Sequence, residues 1–530
     1  MRLPIPYFLL CAFAGCTPLT VDDRVPTDAS SDEAASSEGG PHDGGAGESG
    51  ARDSGSPDEG AESDALVTGD ADADGDAGCT PLSAGATSIY VDAHMVASGS
   101  GVADCPLRTI TAALAAASPG ATIHVAAGTY DAALGEVFPM VVRGVSIVGA
   151  GAPTTTVRGR GSCPVLNVNG PIVSCDALLV VGHETLTTTV TSIAFTSAAG
   201  SLSGNYGVLC DRGNAPATRG ARTAANTVFN RTTFGPAFEV GILATTSGSP
   251  SNSACNLSVV GSTFQGGQLG VWAAGDSKAG FRPALQIGDG TMQGGVAFSG
   301  HRSTSREGIG VSIWDDVGSA MIRNSTFASS DEGIVVVQHH DGSPWLNHFE
   351  ITGNQFSGLS YAGIHVAYAA VVDVLSDNTF NGVSAPGGAA AAALLLNGLS
   401  SPAPWFPAVR RARTNSFVGN DVAIEFRGPA SIGTLSTPND FGTTGDPGGN
   451  IFRCNAGIQG TSGFDLLVGA SASGGALTLP FFGNMWDHSP PTSSGAANGT
   501  DLRVTAGAPP SIDVGGATLA TATCPAGRQP

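Results

Sequence analysis

Positive charge is what this sequence lacks most. Lysine occurs once in 530 residues, as Lys278, and charged residues together make 13%, about half the usual share. So few Lys and Glu argue against a long solvent-exposed helical bundle or coiled coil. No apolar run reaches the ~18 residues of a spanning helix. No basic stripe is present for a phosphate backbone, which argues against nucleic acid as a partner. Glycine is abundant instead, with 76 residues, roughly twice the usual share. Those glycines show no every-third-residue period, so collagen is excluded. What remains is a turn-rich β protein.

The negative charge is concentrated near the N-terminus. Residues 17–78 hold 17 Asp/Glu against Arg24 and Arg52, whereas residues 79–530 hold 27 against 20 Arg/Lys. The first sixteen residues read as an export signal: Arg2, a short apolar stretch, then Phe13-Ala14-Gly15-Cys16. That ending resembles a bacterial lipoprotein box, which implies lipidation at Cys16. Thr17, rather than Asp, follows the Cys and implies passage to an outer membrane. Residues 17–78 carry almost no large apolar side chains, so they are expected to form a disordered tether. Asp70-Ala-Asp72-Ala-Asp74-Gly75-Asp76 opens like a calcium loop, the sole opening for a cofactor. Pro81 stands at its twelfth position where a Glu ligand belongs. Otherwise no cofactor and no metal site are expected.

Eight cysteines follow the tether: Cys79, Cys105, Cys163, Cys175, Cys210, Cys255, Cys454 and Cys524. An even count in an exported chain argues for disulfides, with neighbours paired in order. On this reading Cys79–Cys105 closes the start and Cys454–Cys524 closes the end. The spacing matches no zinc motif.

From residue 88 the pattern becomes periodic. A strand at 89–92 is followed by a helical face at Ile110, Ala113, Leu114 and Ala117, stopped by Pro119-Gly120. Beyond about residue 190 a Phe recurs at 234, 264, 327, 356, 380, 417 and 452. Two residues before it stands Thr232, Ser262, Ser325, Asn354, Asn378, Asn415 or Asn450. Five before it an apolar residue recurs, at Phe229, Val259, Ile322, Ile351 and Leu375. After it comes Gly or Ala and then Ile or Val, as in Gly241-Ile242, Gly333-Ile334, Gly363-Ile364 and Ala423-Ile424. The 63 residues from Phe264 to Phe327 hide one further coil. Asn at the bend is read as tolerating left-handed backbone and bonding to its stacked neighbours. A period of about 22–25 residues with very short β runs selects a parallel β-helix over helical repeats.

Residues 89–149 resemble the opening of domain-of-unknown-function family 1565. The resemblance rests on Tyr90-Val91-Asp92, Pro106 to Ala115, Pro119 to Tyr130, Gly135-Glu136-Val137-Phe138-Pro139 and Gly144 to Gly149. It implies a right-handed parallel β-helix of the pectin-lyase-like kind, all-β, with a short N-terminal capping helix. The domain reading is an export signal (1–16), an acidic linker (17–78), the cap and first coils (79–150), the β-helix (151–483) and an irregular C-terminal tail (484–530).

Catalytic machinery is sparse. Asp315, Asp316 and His339 are weak catalytic candidates, because Asp315 and His339 stand 24 residues apart, about one coil. Acid–base groups stacked in this way would suit a glycosidase. Turn residues after strands explain them as well, and neither the glycosidase nor the pectate-lyase constellation is complete. Arg410-Arg411-Ala412-Arg413 reads as an exposed strand edge. Trp272, Trp314, Trp345, Trp405 and Trp486 would form a sugar-stacking platform only if several share a face. The leading expectation is therefore a surface-anchored envelope lipoprotein, outward-facing and monomeric. Its β-helix would serve a binding or structural role, in contact with a polysaccharide or surface glycan, a matrix or another cell. The membrane would be met through the lipid alone, and secretion is the other localisation. The alternative is a polysaccharide lyase or glycoside hydrolase.

Overall fold

The computed structural model describes residues 79–530 apart from 98, 163–175, 183–184, 199–203, 211–225, 246–254, 275–282, 304–306, 315–316, 339–347, 387–389, 399–405, 429–430, 433–438, 456–462, 470–471, 473–476, 493–500, 506–509, 522–523 and 525–530. The chain divides into two units, Met1–Gly78 and Cys79–Pro530. Cys16 and the acidic segment lie outside the described residues, as do Cys163, Cys175, Asp315, Asp316, His339, Trp345 and Trp405.

The second unit is a right-handed parallel β-helix with three faces. The first sheet begins at Ser88–Val91, the second at Gly128–Asp131 and the third at Met140–Val142. Up to Ala412–Arg413 the turns of the chain add strands to all three faces; the first sheet reaches eleven strands and the other two thirteen each. Strict register then stacks like on like. Along the first sheet Ile89, Ile123, Ile147, Val190, Phe229, Val259, Ile287, Ile322, Ile351 and Leu375 lie opposite one another in turn. All ten are buried in the core.

The recurring Phe forms the spine of the second sheet. Phe234, Phe264, Phe298, Phe327, Phe356, Phe380, Phe417 and Phe452 stack with centroids 4.6 to 5.1 Å apart. That spacing is the distance between neighbouring strands. Phe298 is the coil hidden in the long gap; Val296 stands where the other coils carry Thr, Ser or Asn. Trp486 ends the stack 4.5 Å beyond Phe452 and is buried, which removes it from any sugar platform. Coils also continue past residue 483, through Met485–Trp486, Leu502–Val504 and Thr518–Leu519. The segment expected as an irregular tail thus carries the last rungs.

The bend between the first and second sheets corrects the expectation for Asn. Left-handed backbone falls one residue earlier, at Arg231, Asn324, Asp377 and Thr414, and at Gly261, Gly353, Gly449 and Gly483. The Asn itself turns inward, because only there can its amide reach the neighbouring coils. Asn354, Asn378, Asn415 and Asn450 each donate from Nδ2 to Oδ1 of the next Asn, at 3.0, 2.9, 2.9 and 2.9 Å, ending on Asn484. Buried polar groups need such partners, and the ladder supplies them coil by coil.

Helix α1 (Ile110–Ala116) closes the first coil, with Ile110 and Ala113 buried. Leu114 and Ala117 pack partly against the same core. Its start is held twice. Thr109 accepts the Ala112 N–H, and Glu136 accepts the Ile110 and Thr111 N–H groups at 2.6 and 2.8 Å. An acidic partner at this end satisfies amides that the helix leaves open. No helix among the described residues is long and apolar enough to cross a membrane.

Disulfides join Cys79 to Cys105, Cys210 to Cys255 and Cys454 to Cys524. Solenoid ends fray first, so the first and last bridges bear on the weakest coils. Each is expected to contribute about 2–4 kcal/mol. Reduction should therefore raise hydrogen exchange at both ends before the middle. Titration of free thiols at these six positions in native, unreduced protein would refute the pairing.

Candidate functional site

The third sheet has the longest strands and an outward face unlike the other two. Three rows run along it. One holds Leu209, Leu243, Trp272, Ser312, Val335, His365, Leu395, Glu425 and Leu467. Beside it run Trp314, Val337, Ala367, Asn397 and Arg427. On the other side run Leu269, Ile309, Glu332, Ala362, Ala392 and Val422. The face begins apolar and turns charged after Val335.

Trp272 and Trp314 meet edge to face there, with centroids 6.4 Å apart, beside Leu243, Leu269, Ile309 and Val337. Trp314 Nε1 donates to the Ser312 hydroxyl at 2.7 Å. Trp272 Nε1 is buried and has no partner among the described residues. Two of the five tryptophans therefore share a face.

The charged part is a chain of contacts over three rungs. His365 Nδ1 lies 3.1 Å from Glu332 Oε2. The Tyr361 ring stands edge-on to His365, with centroids 6.1 Å apart. Arg427 donates to the Tyr361 hydroxyl at 2.8 Å and to both Glu425 oxygens at 2.8 Å. Burial pushes the Tyr361 hydroxyl up, and the Arg427 charge works against it. Burial also opposes the Arg427 charge, but Glu425 outweighs it and holds the guanidinium charged. His365 Nε2 is buried without a partner among the described residues.

Chemically, each carboxylate here is already matched by a cation or an imidazole. Glu332 and Glu425 also sit three rungs apart, about 14 Å along the sheet. Glycosidase carboxyl pairs stand about 5–10 Å apart. The separation is wider than that of a glycosidase pair.

Asp315, Asp316 and His339 lie outside the described residues. The strands that precede them, Ile309–Trp314 and Glu332–Gln338, are adjacent rungs with Trp314 opposite Val337. The basic run is not a simple exposed edge. Arg410 pairs with Asp373 at 2.6 Å, while Arg413 is buried between Asp440 and Asp446, both at 2.9 Å. Arg411 and Arg413 hold the Asp446 carboxyl down at about 2. Charge neutralisation across coils explains the run. Glu332, Tyr361, His365, Glu425 and Arg427 went unnoticed in the sequence. The signal was there: His365 and Glu425 follow Gly363-Ile364 and Ala423-Ile424, at the repeat's outward position.

Among the described residues, Cys454, Asp487 and Cys524 are the one His/Cys/Asp/Glu group close enough to hold a metal ion. Its two sulfurs form a disulfide, so they are not thiolate ligands.

A capped parallel β-helix with one charged, aromatic outer face is the class this architecture defines. The chain belongs to the family described as "Protein of unknown function (DUF1565)", which it matches over residues 96–194 and 273–493. No curated protein matches it. Among solved structures it is similar to the catalytic unit of a thermostable GH87 alpha-1,3-glucanase from Streptomyces thermodiastaticus strain HF3-3. There the identity is 13%, the TM-score 0.44 and the coverage 86% of this chain and 73% of that one. It is also similar to the GH136 lacto-N-biosidase from Eubacterium ramulus (11% identity, TM-score 0.36, 82% and 68% covered). Pectate lyase Pel9A gives 13% identity and a TM-score of 0.28, with 77% and 82% covered. Likeness at this level does not extend to side-chain chemistry.

Proposed function

We propose that the chain is an exported, outward-facing lipoprotein, anchored through Cys16 and carried on the acidic segment 17–78. Its β-helix binds a glycan along the outer face of the third sheet without cleaving it. The observation that carries this reading is the gathering of Trp272, Trp314, Tyr361, His365 and Arg427 on one outward face. Aromatic rings offer apolar faces to sugar C–H groups, and charged or amide donors take the hydroxyls. Three disulfides accord with an oxidising compartment.

Binding to a panel of polysaccharides tests the reading. Trp314→Ala and Arg427→Gln should each weaken binding up to about tenfold, the scale of one aromatic or charge-assisted contact. Equal affinity in both variants would remove the third sheet from the interface. New reducing ends or unsaturated products in the same panel would make the protein an enzyme and overturn the non-catalytic part. Cys16→Ala should shift the protein out of the membrane fraction. Unchanged fractionation refutes the anchor.

A further inference from the structure

A second group of acids lies away from this face, inside the last coils. One inward row of the third sheet carries Gly207, Gly241, Gly270, Gly310, Gly333 and Gly363 in turn, then Ala393 and Ala423. The glycines are required, because a Cβ at Gly363 would lie 2.8 Å from the Phe380 ring. The same row ends on Asp465 and then Asp501, which stand one residue before the register partners Leu466 and Leu502 and are 2% and 5% exposed. Two carboxyls are thus stacked about 4.8 Å apart at backbone level, inside the coil.

Their partners decide where a proton belongs. Asp501 accepts from His488 Nδ1 at 3.1 Å, from the Thr492 N–H at 2.6 Å and from the Thr492 hydroxyl at 3.1 Å. The Thr492 N–H and hydroxyl are donors, and the His488 ring nitrogen donates when it carries the proton. Asp465 Oδ1 accepts from Asn455 Nδ2 at 2.7 Å. Asp465 Oδ2 is buried with no donor among the described residues, and the bond from the Leu466 N–H to the Asp501 carbonyl at 2.8 Å holds the two residues side by side. A proton on Asp465 Oδ2, donated to Asp501, satisfies the last lone atom. Like charges this close in a low dielectric do not both ionise.

We propose that Asp465 and Asp501 share one proton across adjacent rungs and that this proton latches the last coils of the β-helix. The C-terminal end is then tightest in acid and loosens as the pair loses its proton. The latch ties Phe464–Val468 to Leu502–Val504 and, through His488 and Thr492, to the chain between them. Backbone bonds from Leu466 N–H to Asp501 and from Leu502 N–H to Thr492 follow the same path. Burial, then the Asp501 charge, push the Asp465 carboxyl well above the ordinary carboxylate range. The other charged group facing it is Asp487, whose carboxyl is also raised by burial; His488 and Arg453 act in turn on Asp487, and Arg503 lies over the neighbouring Phe464 ring. A raised folded value means that stabilisation is complete below the ordinary carboxylate range. It is lost as pH rises through that folded value.

Hydrogen exchange on the full chain, corrected for intrinsic rates, tests the latch. Protection of 464–468 and 502–504 should fall as pH rises, by up to about tenfold per pH unit, the limit for one proton. Protection of 332–338 in the middle should not. Asp465→Asn supplies a permanent N–H donor and should flatten the profile at high protection. His488→Gln should keep the slope. A flat wild-type profile, an unchanged slope in Asp465→Asn, or a slope abolished in His488→Gln would each overturn the proposal. So would protection restored at high pH by added Ca²⁺, since a cation would then hold the pair. Should Asp465→Asn fail to fold, the wild-type and His488→Gln slopes still decide.

Discussion

Replacing Phe356 by alanine is expected to cost about 3–5 kcal/mol, among the largest effects of any single change in this chain. Phe356 is 1% exposed and stacks on Phe327 at 5.0 Å and on Phe380 at 4.6 Å. Truncation opens a cavity that neither neighbour can fill, because each ring is held by its own coil's register. The partner of this ring is Gly333. A Cβ there would meet Phe356 Cδ1 at 2.7 Å and the Gly363 carbonyl oxygen at 2.6 Å. Gly333→Ala is therefore expected to destabilise severely, through backbone as well as ring. Combining it with Phe356→Ala should relieve the ring clash alone, so the double variant should lose less than the sum. Urea titration of the four proteins measures this. Simple additivity would show that glycine and ring do not share the space.

The physics of a solenoid explains which parts of this fold were legible in the sequence. Stacking requires the same residue class at the same register, so Phe, Asn and the Gly-Ile pair recur and expose the coil. Phe298 was concealed because its coil has Val296 in the ladder position, and a side chain without a polar group breaks the motif without breaking the ring stack. Left-handed backbone was misplaced by one residue for a related reason. Residues as different as Arg231, Asp377 and Thr414 serve at that position, so no residue type marks it. The candidate site was harder to see. Outward positions need not repeat, and Glu332, His365 and Arg427 come together only through register between coils that are far apart in sequence. Asp465 and Asp501 were equally hidden: they end the row of glycine and alanine, and only the register places them in it.

The outer face and the inner ladders are linked. Each outward side chain of the third sheet inherits its position from a core residue beside it: His365 from Ile364, Glu425 from Ile424. Placement of Arg427 against Tyr361, two coils away, thus depends on the packing of every coil between them. Core variants in the Phe380 or Phe417 coils should consequently disturb the proposed glycan binding without touching the ligand, whereas variants near helix α1 should not.

Asn415→Ala is the second change expected to cost heavily, about 3–5 kcal/mol, because it strands several buried groups at once. Asn415 Oδ1 accepts from the Asn378 N–H at 3.1 Å and from Asn378 Nδ2 at 2.9 Å. Its own Nδ2 donates to the Leu375 carbonyl and to Asn450 Oδ1, both at 2.9 Å. Alanine leaves two donors and a carbonyl without these partners, in coils that exclude water. Asn415→Asp separates the two halves of this argument. Its oxygens still accept from Asn378, but an ionised carboxylate has nothing to give Leu375 and opposes Asn450 Oδ1. In acid the carboxyl regains one donor. The deficit of Asn415→Asp should therefore shrink as pH falls, since burial against acceptors raises the folded carboxyl's affinity for its proton above that in the unfolded chain. Asn415→Ala should show no such recovery. Thermal unfolding of both variants between about pH 4 and pH 8 reads the difference. Parallel profiles would mean that the ladder stabilises by filling space rather than by its directed chain of amide hydrogen bonds.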